Sequence, residues 1–316
     1  MLPLDILNLL AALLAAAFAA FTLYRNAQRF ALSYAVSIPF SAFFFFAFGT
    51  TMPALVMVLS IISGKYLYSK VFFLFAPIIL GIGAAFLYLG VGTTTWAIYD
   101  ISIGIGTALA LFSDKQSMSH VSANNKSKGV SKAKEISRDL VQILGGILIL
   151  VLLFTVGQTN FRIDLSLAVI PLYMFGNYYS LFPASRIGKT LTFFERPMTP
   201  LGLGAIWFAA GIMIALGVVD STPLLAIIVF VTTIGDPLAT IFGSMIKSPR
   251  LPYNRKKSIA GFLGIFIFSA IFAYFLIGYV GIAIALVSAF VESVSLHPFD
   301  DNFILPVILG AISYII

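Results

Sequence analysis

Long apolar stretches alternate with short polar interruptions along almost the whole chain. They fall near 6–24, 31–49, 51–64, 71–90, 96–112, 139–157, 165–182, 199–219, 223–243, 259–277, 281–295 and 303–316. A hydrocarbon core about 30 Å thick takes roughly 20 helical residues, and lipid leaves backbone groups no partners outside their own segment, so such stretches predict helices. The third and last are short. The pattern therefore predicts an all-α, polytopic integral membrane protein with 10–12 transmembrane helices.

Composition strengthens this picture: of 316 residues, 60% are apolar and 10% charged, with a mean hydropathy of +1.04. No soluble domain of ordinary size fits between the apolar stretches. The first of them lacks the basic flank of a signal peptide, since Asp5 is the only charge before Arg25, and it is expected to be a mature helix. If the spans alternate, nearly all basic residues fall on one side: Arg25 and Arg29, Lys65 and Lys70, the block Lys115 to Arg138, Arg186, Lys189 and Arg196, and Lys247 to Lys257. Only Arg162 falls on the other. The positive-inside bias then puts those loops in the cytoplasm, and the net charge of +7 is a topology signal that makes nucleic acid a poor partner. Cysteine is absent, which excludes disulfides and Cys metal sites.

A Ser/Lys/Asn-rich stretch at 113–138 divides the chain. Residues 1–112 form an N-terminal helical region with few polar groups, 113–138 a basic cytoplasmic linker, and 139–316 the region expected to hold the chemistry.

Asp236 lies inside an apolar stretch, in TTIGDPLATIFG, where an ionisable residue is costly and marks a site or pathway. An uninterrupted helix would place Thr233, Asp236, Thr240 and Gly243 on one narrow face. Pro237 should break or kink that helix and free carbonyls near the carboxylate. The bland alternative is an aspartate that only pairs helices. The following loop, SMIKSPRLPYNRKKSIAG, carries Arg250, Arg255, Lys256 and Lys257, with Ser258 opening the next helix. Basic side chains and a helix N-terminus both favour phosphate, although a positive-inside anchor explains the same charges. Further on, Glu292, Asp300, Asp301 and Asn302 gather within eleven residues. One of them is expected to be a helix cap; together they exceed what capping needs and suit metal binding or acceptance of a hydroxyl proton.

Other candidates carry less. PASRIGKT at 183–190 has Pro183 where a P-loop needs glycine and no preceding strand. The GLG at 202–204 and GIGIG at 102–106 read as small-residue helix packing. His120 and His297 lack ligand spacing, and Asp100 reads as a helix-pairing or interfacial residue.

Residues 131–316 resemble the CTP-dependent lipid-alcohol kinases (dolichol kinase, phytol kinase and the CTP-dependent diacylglycerol kinases), which are distantly related to phosphatidate cytidylyltransferases. The elements that carry the resemblance are G-D-x-x-A-x-x-x-G at Gly235, Asp236, Ala239 and Gly243; K-S with Gly261 at Lys257 and Ser258; and the acid, D-D-N and proline at Glu292, Asp300, Asp301, Asn302 and Pro306. A weaker element is Glu195 with Thr199 and Gly202. Two elements depart: the family's R-K-x-x-H stands here as Arg138, Asp139 and Gln142, and the acid of K-S-x-E-G is Ala260.

The resemblance implies CTP as phosphoryl donor, Mg²⁺ as cofactor and a membrane lipid alcohol as acceptor, an isoprenoid alcohol first and diacylglycerol second. Asp236 with Glu292, Asp300 or Asp301 would hold the metal; Arg250, Arg255, Lys256, Lys257, Ser258 and Asn302 would bind nucleotide; Arg138, Glu195, Thr199 and Thr240 are possible further site residues. The competing expectations are a cytidylyltransferase that releases pyrophosphate, a membrane transporter, and a non-catalytic homologue.

Overall fold

The computed structural model describes residues 52–66, 72–113, 132–182, 184–194, 202–294 and 300–313. Every regular element among them is helical. In chain order these are α1 (Met52–Lys65), α2 (Phe72–Leu89), α3 (Thr93–Ser113), α4 (Lys132–Val156), α5 (Gln158–Leu181), α6 (Arg186–Phe194), α7 (Leu203–Val218), α8 (Thr222–Phe230), a π-helical segment (Val231–Gly235), α9 (Asp236–Met245), α10 (Ile259–Ile277), α11 (Tyr279–Val294) and α12 (Asp301–Ile312). Stretches 6–24 and 31–49, with the connection 114–131, lie outside the described residues. The end of the polar linker, 132–138, forms the first two turns of α4.

Among the described residues four helical segments are long and apolar enough to cross a membrane: Thr93–Phe112, Glu135–Val156, Thr222–Met245 and Ile259–Ile277. The outward faces of α4 and α10 support that reading, because they are apolar. Leu140, Leu144, Leu148 and Val151 on α4, and Leu263, Ile267, Ile271 and Phe275 on α10, are exposed at helical spacing. A soluble helix would present polar residues there. α6 was not expected from the hydropathy pattern. It is a short surface helix begun by Ser185, whose hydroxyl accepts from Gly188 N–H at 3.0 Å, and its Arg186, Lys189 and Thr190 are exposed.

Packing runs through small residues, as lipid gives helices no hydrophobic reason to associate and close van der Waals approach does the work. A Cβ at Gly106 would strike Ser60 and Met57 of α1, one at Gly104 would strike the Ala210 carbonyl of α7, and one at Gly211 would strike Phe303 and Pro306 of α12. The GIGIG stretch is thus a packing seam between α3 and its two neighbours. α1, α3, α7 and α12 form one packed series; α4, the α8–α9 helix, α10 and α11 form a second, and α12 touches both. Where they meet, Phe112, Trp207 and Phe303 pack edge to face with centroids 5.0, 5.4 and 6.4 Å apart. Residues from the N-terminal third therefore buttress the first turn of α12.

Candidate functional site

The α8–α9 helix holds the clearest departure from regularity. Pro237 does not stop the chain; the helix absorbs it through the five-residue π segment just before Asp236. Asp236 N–H donates to Val231 O, the i→i+5 bond of a π turn. The Thr232 carbonyl then loses both possible backbone partners: Asp236 N–H is engaged elsewhere, and Pro237 has no N–H. A carbonyl is freed near Asp236, as the proline predicts, but the Gln142 amide takes it, donating from α4 at 3.1 Å. The same nitrogen lies 3.5 Å from Asn302 Oδ1. One side chain thus links α4, the π segment and α12.

The inserted residue also divides the expected polar face. Thr233 turns toward α4, where a Cβ at Gly146 would collide with its hydroxyl; Gly243 faces Ser258 and Gly261 of α10; and Thr240 is exposed, its hydroxyl 3.4 Å from the Asp236 carbonyl. The 3.6-residue period assumed an unbroken α-helix.

The basic loop folds back tightly on itself. Arg250 pairs with Ser258 in an isolated antiparallel bridge, Leu251 N–H donates to the Lys257 carbonyl at 3.0 Å, and the Arg250 guanidinium donates to the Lys256 carbonyl at 3.0 Å. Tyr253 and Asn254 pin the loop to the end of α11 through Ser293, both at 2.8 Å. The N-terminus of α10 is spent on its own loop: Ile259 N–H donates to Pro249 O, Ala260 N–H to Ser248 Oγ, and Gly261 N–H to Ser258 Oγ. Ser258 is an N-cap, and the helix end expected to receive phosphate has no free N–H in its first turn. Arg255 and Lys256 remain exposed.

Lys257 turns inward. Its ammonium pairs with Glu292 at the end of α11 and lies 3.5 Å from Asp301 Oδ2 at the start of α12. Asp236 completes the surroundings, acting electrostatically on both Lys257 and Glu292. Burial pushes the Lys257 ammonium down, but Glu292, Asp301 and Asp236 outweigh it and hold the group above its ordinary range. Glu292 is buried, with 3% of its side chain exposed, whereas Lys257 and Asp301 are open at 28% and 31%. Asp300 is the N-cap of α12: its Oδ1 accepts from Asn302 N–H at 3.0 Å and from the Asn302 amide at 2.8 Å.

The structure thus gathers Asp236, Lys257, Glu292, Asp301 and Asn302, and gives Arg250, Ser258 and Asp300 local structural bonds. Arg138 pairs with its neighbour Asp139 at 3.1 Å, and Asp139 in turn lies within the field of Asp236. Asp139 and Gln142 entered the sequence reading only as departures from a motif, and Thr232, Gly146 and Ser293 not at all; the proline that strips Thr232 of its partner was the available signal. Glu195 and Thr199 lie outside the described residues. Among the described residues no three acidic or histidine side chains converge as a closed metal cage.

A second polar cluster lies beside the start of the α8–α9 helix, about 24 Å along it from Asp236 at 1.5 Å per residue. There Asp100 of α3, fully buried, accepts from Ser166 of α5 at 2.5 Å, and Arg162 donates to the Val219 carbonyl at 2.9 Å and to Asp220 at 3.2 Å. Asp100 is the helix-pairing residue that the sequence allows.

The chain matches no known family model and no solved structure. It is similar to an uncharacterized protein of Methanocaldococcus jannaschii, with 40% identity over 112 residues, which is 35% of this chain and 58% of that protein. The chain thus spans less than two thirds of the length of the curated relative it matches.

Proposed function

We propose that this protein transfers the γ-phosphoryl group of CTP to a membrane lipid alcohol, an isoprenoid alcohol of the dolichol, polyprenol, phytol or geranylgeraniol type, giving CDP and the lipid monophosphate. The observation that carries the reading is the convergence of four elements: Asp236 from α9, Lys257 from the basic loop, Glu292 from α11 and Asp301 from α12. These are the residues on which the resemblance rests. The setting is a protein of 10–12 spans with this end at the cytoplasmic surface, where CTP enters from water and the lipid hydroxyl arrives at headgroup depth.

Phosphoryl transfer asks mainly for positioning and charge stabilisation. Exposed Arg255 and Lys256 supply cations to the triphosphate, and Lys257, kept charged by its carboxylates, supplies a third. The lipid oxygen bonds to the γ-phosphorus as the bond to the β-phosphate oxygen breaks. Asp301, half-open beside Lys257, orients the hydroxyl and takes its proton. The donor set fits Mg²⁺, being hard carboxylate and amide oxygens around a point where a cation already sits as the Lys257 ammonium. Asp236 would hold the ion, which when bound neutralises charge on the phosphates.

The test is incubation of the purified protein in lipid micelles with γ-labelled CTP, Mg²⁺ and a panel of polyprenols, geranylgeraniol, phytol and diacylglycerol. Label in one lipid, with CDP released, is expected. Asp236→Asn should cut transfer about 100-fold or more, the scale of removing one electrostatic group at a reacting centre, with the melting temperature little changed. Pyrophosphate released with a lipid phosphate as acceptor would move the protein to the cytidylyltransferases, and solute uptake into sealed vesicles without CTP to the transporters.

A further inference from the structure

The outward face of α5 changes character toward its C-terminal end. Leu172, Phe175 and Tyr178 recur at helical spacing, Phe182 follows just past the last turn, and all four are exposed. Tyr178 sits against both Tyr179 and Phe182, with centroids 5.2 and 5.0 Å apart, so the aromatic end of the face is continuous. α6 then begins at Arg186 and presents Arg186 and Lys189 to the outside, from neighbouring turns on one side of the helix. Ile187 beside them is exposed as well, whereas Gly188 is buried and Leu191 half-buried, and α6 rests on α4 and α5. Along one surface the order is therefore aliphatic, aromatic, cationic. A bilayer offers the same order of environments: hydrocarbon, the interfacial zone that favours Tyr, and the phosphate plane. A surface meeting only water has no use for large apolar side chains leading up to a pair of cations.

We propose that α6 and the end of α5 form a docking surface for the anionic headgroup of a membrane phospholipid. Arg186 and Lys189 meet the phosphate, Arg186 through paired N–H donors and Lys189 as a point charge. Tyr178, Phe182 and Ile187 lie beneath them against the glycerol backbone and the first methylenes of the acyl chains. Charge complementarity selects the occupant: a zwitterionic headgroup brings its own cation to the phosphate, so both side chains gain less from it. α6 has nine residues, too few to be stable as an isolated helix, and headgroup contacts add to its hold on α4 and α5. None of these residues belongs to the Lys257 cluster, and the surface serves the chain whether or not the kinase reading holds.

Because the sequence has no cysteine, Thr190→Cys gives a unique attachment point for a fluorophore on the exposed side of α6. The experiment reconstitutes the full chain, so labelled, in phosphatidylcholine bilayers that contain either brominated phosphatidylglycerol or brominated phosphatidylcholine, and compares quenching at equal bromolipid content. Brominated phosphatidylglycerol is expected to quench at lower content, by about 5-fold for each cation in contact. Arg186→Gln with Lys189→Gln should remove that preference and leave the melting temperature unchanged, since both side chains are exposed. Arg186→Lys with Lys189→Arg should keep it. Equal quenching by the two lipids in the parent chain, or a preference that survives the double glutamine substitution, would overturn the proposal. So would quenching by neither, the result of a face that lies in water or under a second copy of the chain.

Discussion

The two polar clusters, one around Lys257 and one around Arg162, each join a basic side chain to carboxylates from other elements, and they differ in access. At the Arg162 end the guanidinium is spent on a backbone carbonyl, Asp100 is fully enclosed and bonded to Ser166, and only Asp220 reaches the surface. At the Lys257 end a buried glutamate backs a lysine and an aspartate that remain about 30% open, with exposed Arg255, Lys256 and Thr240 around them. A charge group closed on all sides can fasten helices. One left open on a single side can also receive a ligand, and the cost of burying Glu292 makes sense only where something is gained by holding Lys257 in place.

Breaking the open cluster should have the largest effect. Glu292→Gln is expected to lower CTP-dependent label transfer by about 100-fold with a small change in melting temperature, because Lys257 keeps Asp301. Equal loss of transfer and of stability would erase the contrast between the two ends. Arg162→Ala should do the reverse: a stability loss of about 1–3 kcal/mol from its lost buried hydrogen bonds, read by thermal melting, with transfer in the surviving protein near normal. Asp220→Asn beside it should cost less than about 1 kcal/mol, since that partner is 92% exposed.

A smaller effect sharpens the comparison. Gly146→Ala would push Thr233 and loosen the α4 contact with the π segment, at about 1–3 kcal/mol for overpacking, while Gly145→Ala next to it meets nothing within 4 Å and should be neutral or slightly stabilising. The smallest effect is with pH. Lys257 is raised above its ordinary range, so its pairing is fully present below the ordinary lysine value and is lost only as pH rises through the higher one. A melting profile of the wild type should therefore show no loss of this pairing until the pH rises past about 10.

The helices were legible because apolar length is a direct physical demand of lipid: 51–64, 71–90 and 259–277 lie within a residue or so of α1, α2 and α10. The site was legible in part. Asp236, Lys257, Glu292 and Asp301 announced themselves as charges out of place in an apolar chain, and they meet. What the sequence hid was register and direction. Nothing in TTIGDPLATIFG states that one residue is looped out, so Thr233 and Gly243 were placed on a shared face that they do not share. Nothing in KSPRLPYNRKKS states that the loop doubles back and consumes the first N–H groups of α10. Asp139 and Gln142 stand out in the sequence only as departures from the family motif, and only the fold gives them partners, Arg138 for the one and Thr232 with Asn302 for the other. α6 escaped because its nine residues are too short and too mixed for a hydropathy pattern.

The π segment sets the rotational phase of everything after it. One residue corresponds to 100° of turn in an α-helix, so deleting a single residue from 231–235 would leave a continuous helix of nearly the same length, still long enough to span. Asp236 would then swing by about that angle out of the gap between α4 and Lys257, while the apolar core on the α8 side stayed where it is. The segment therefore acts as a gear tooth: fold and function are separable at one peptide unit, and a one-residue deletion is the finest cut that parts them.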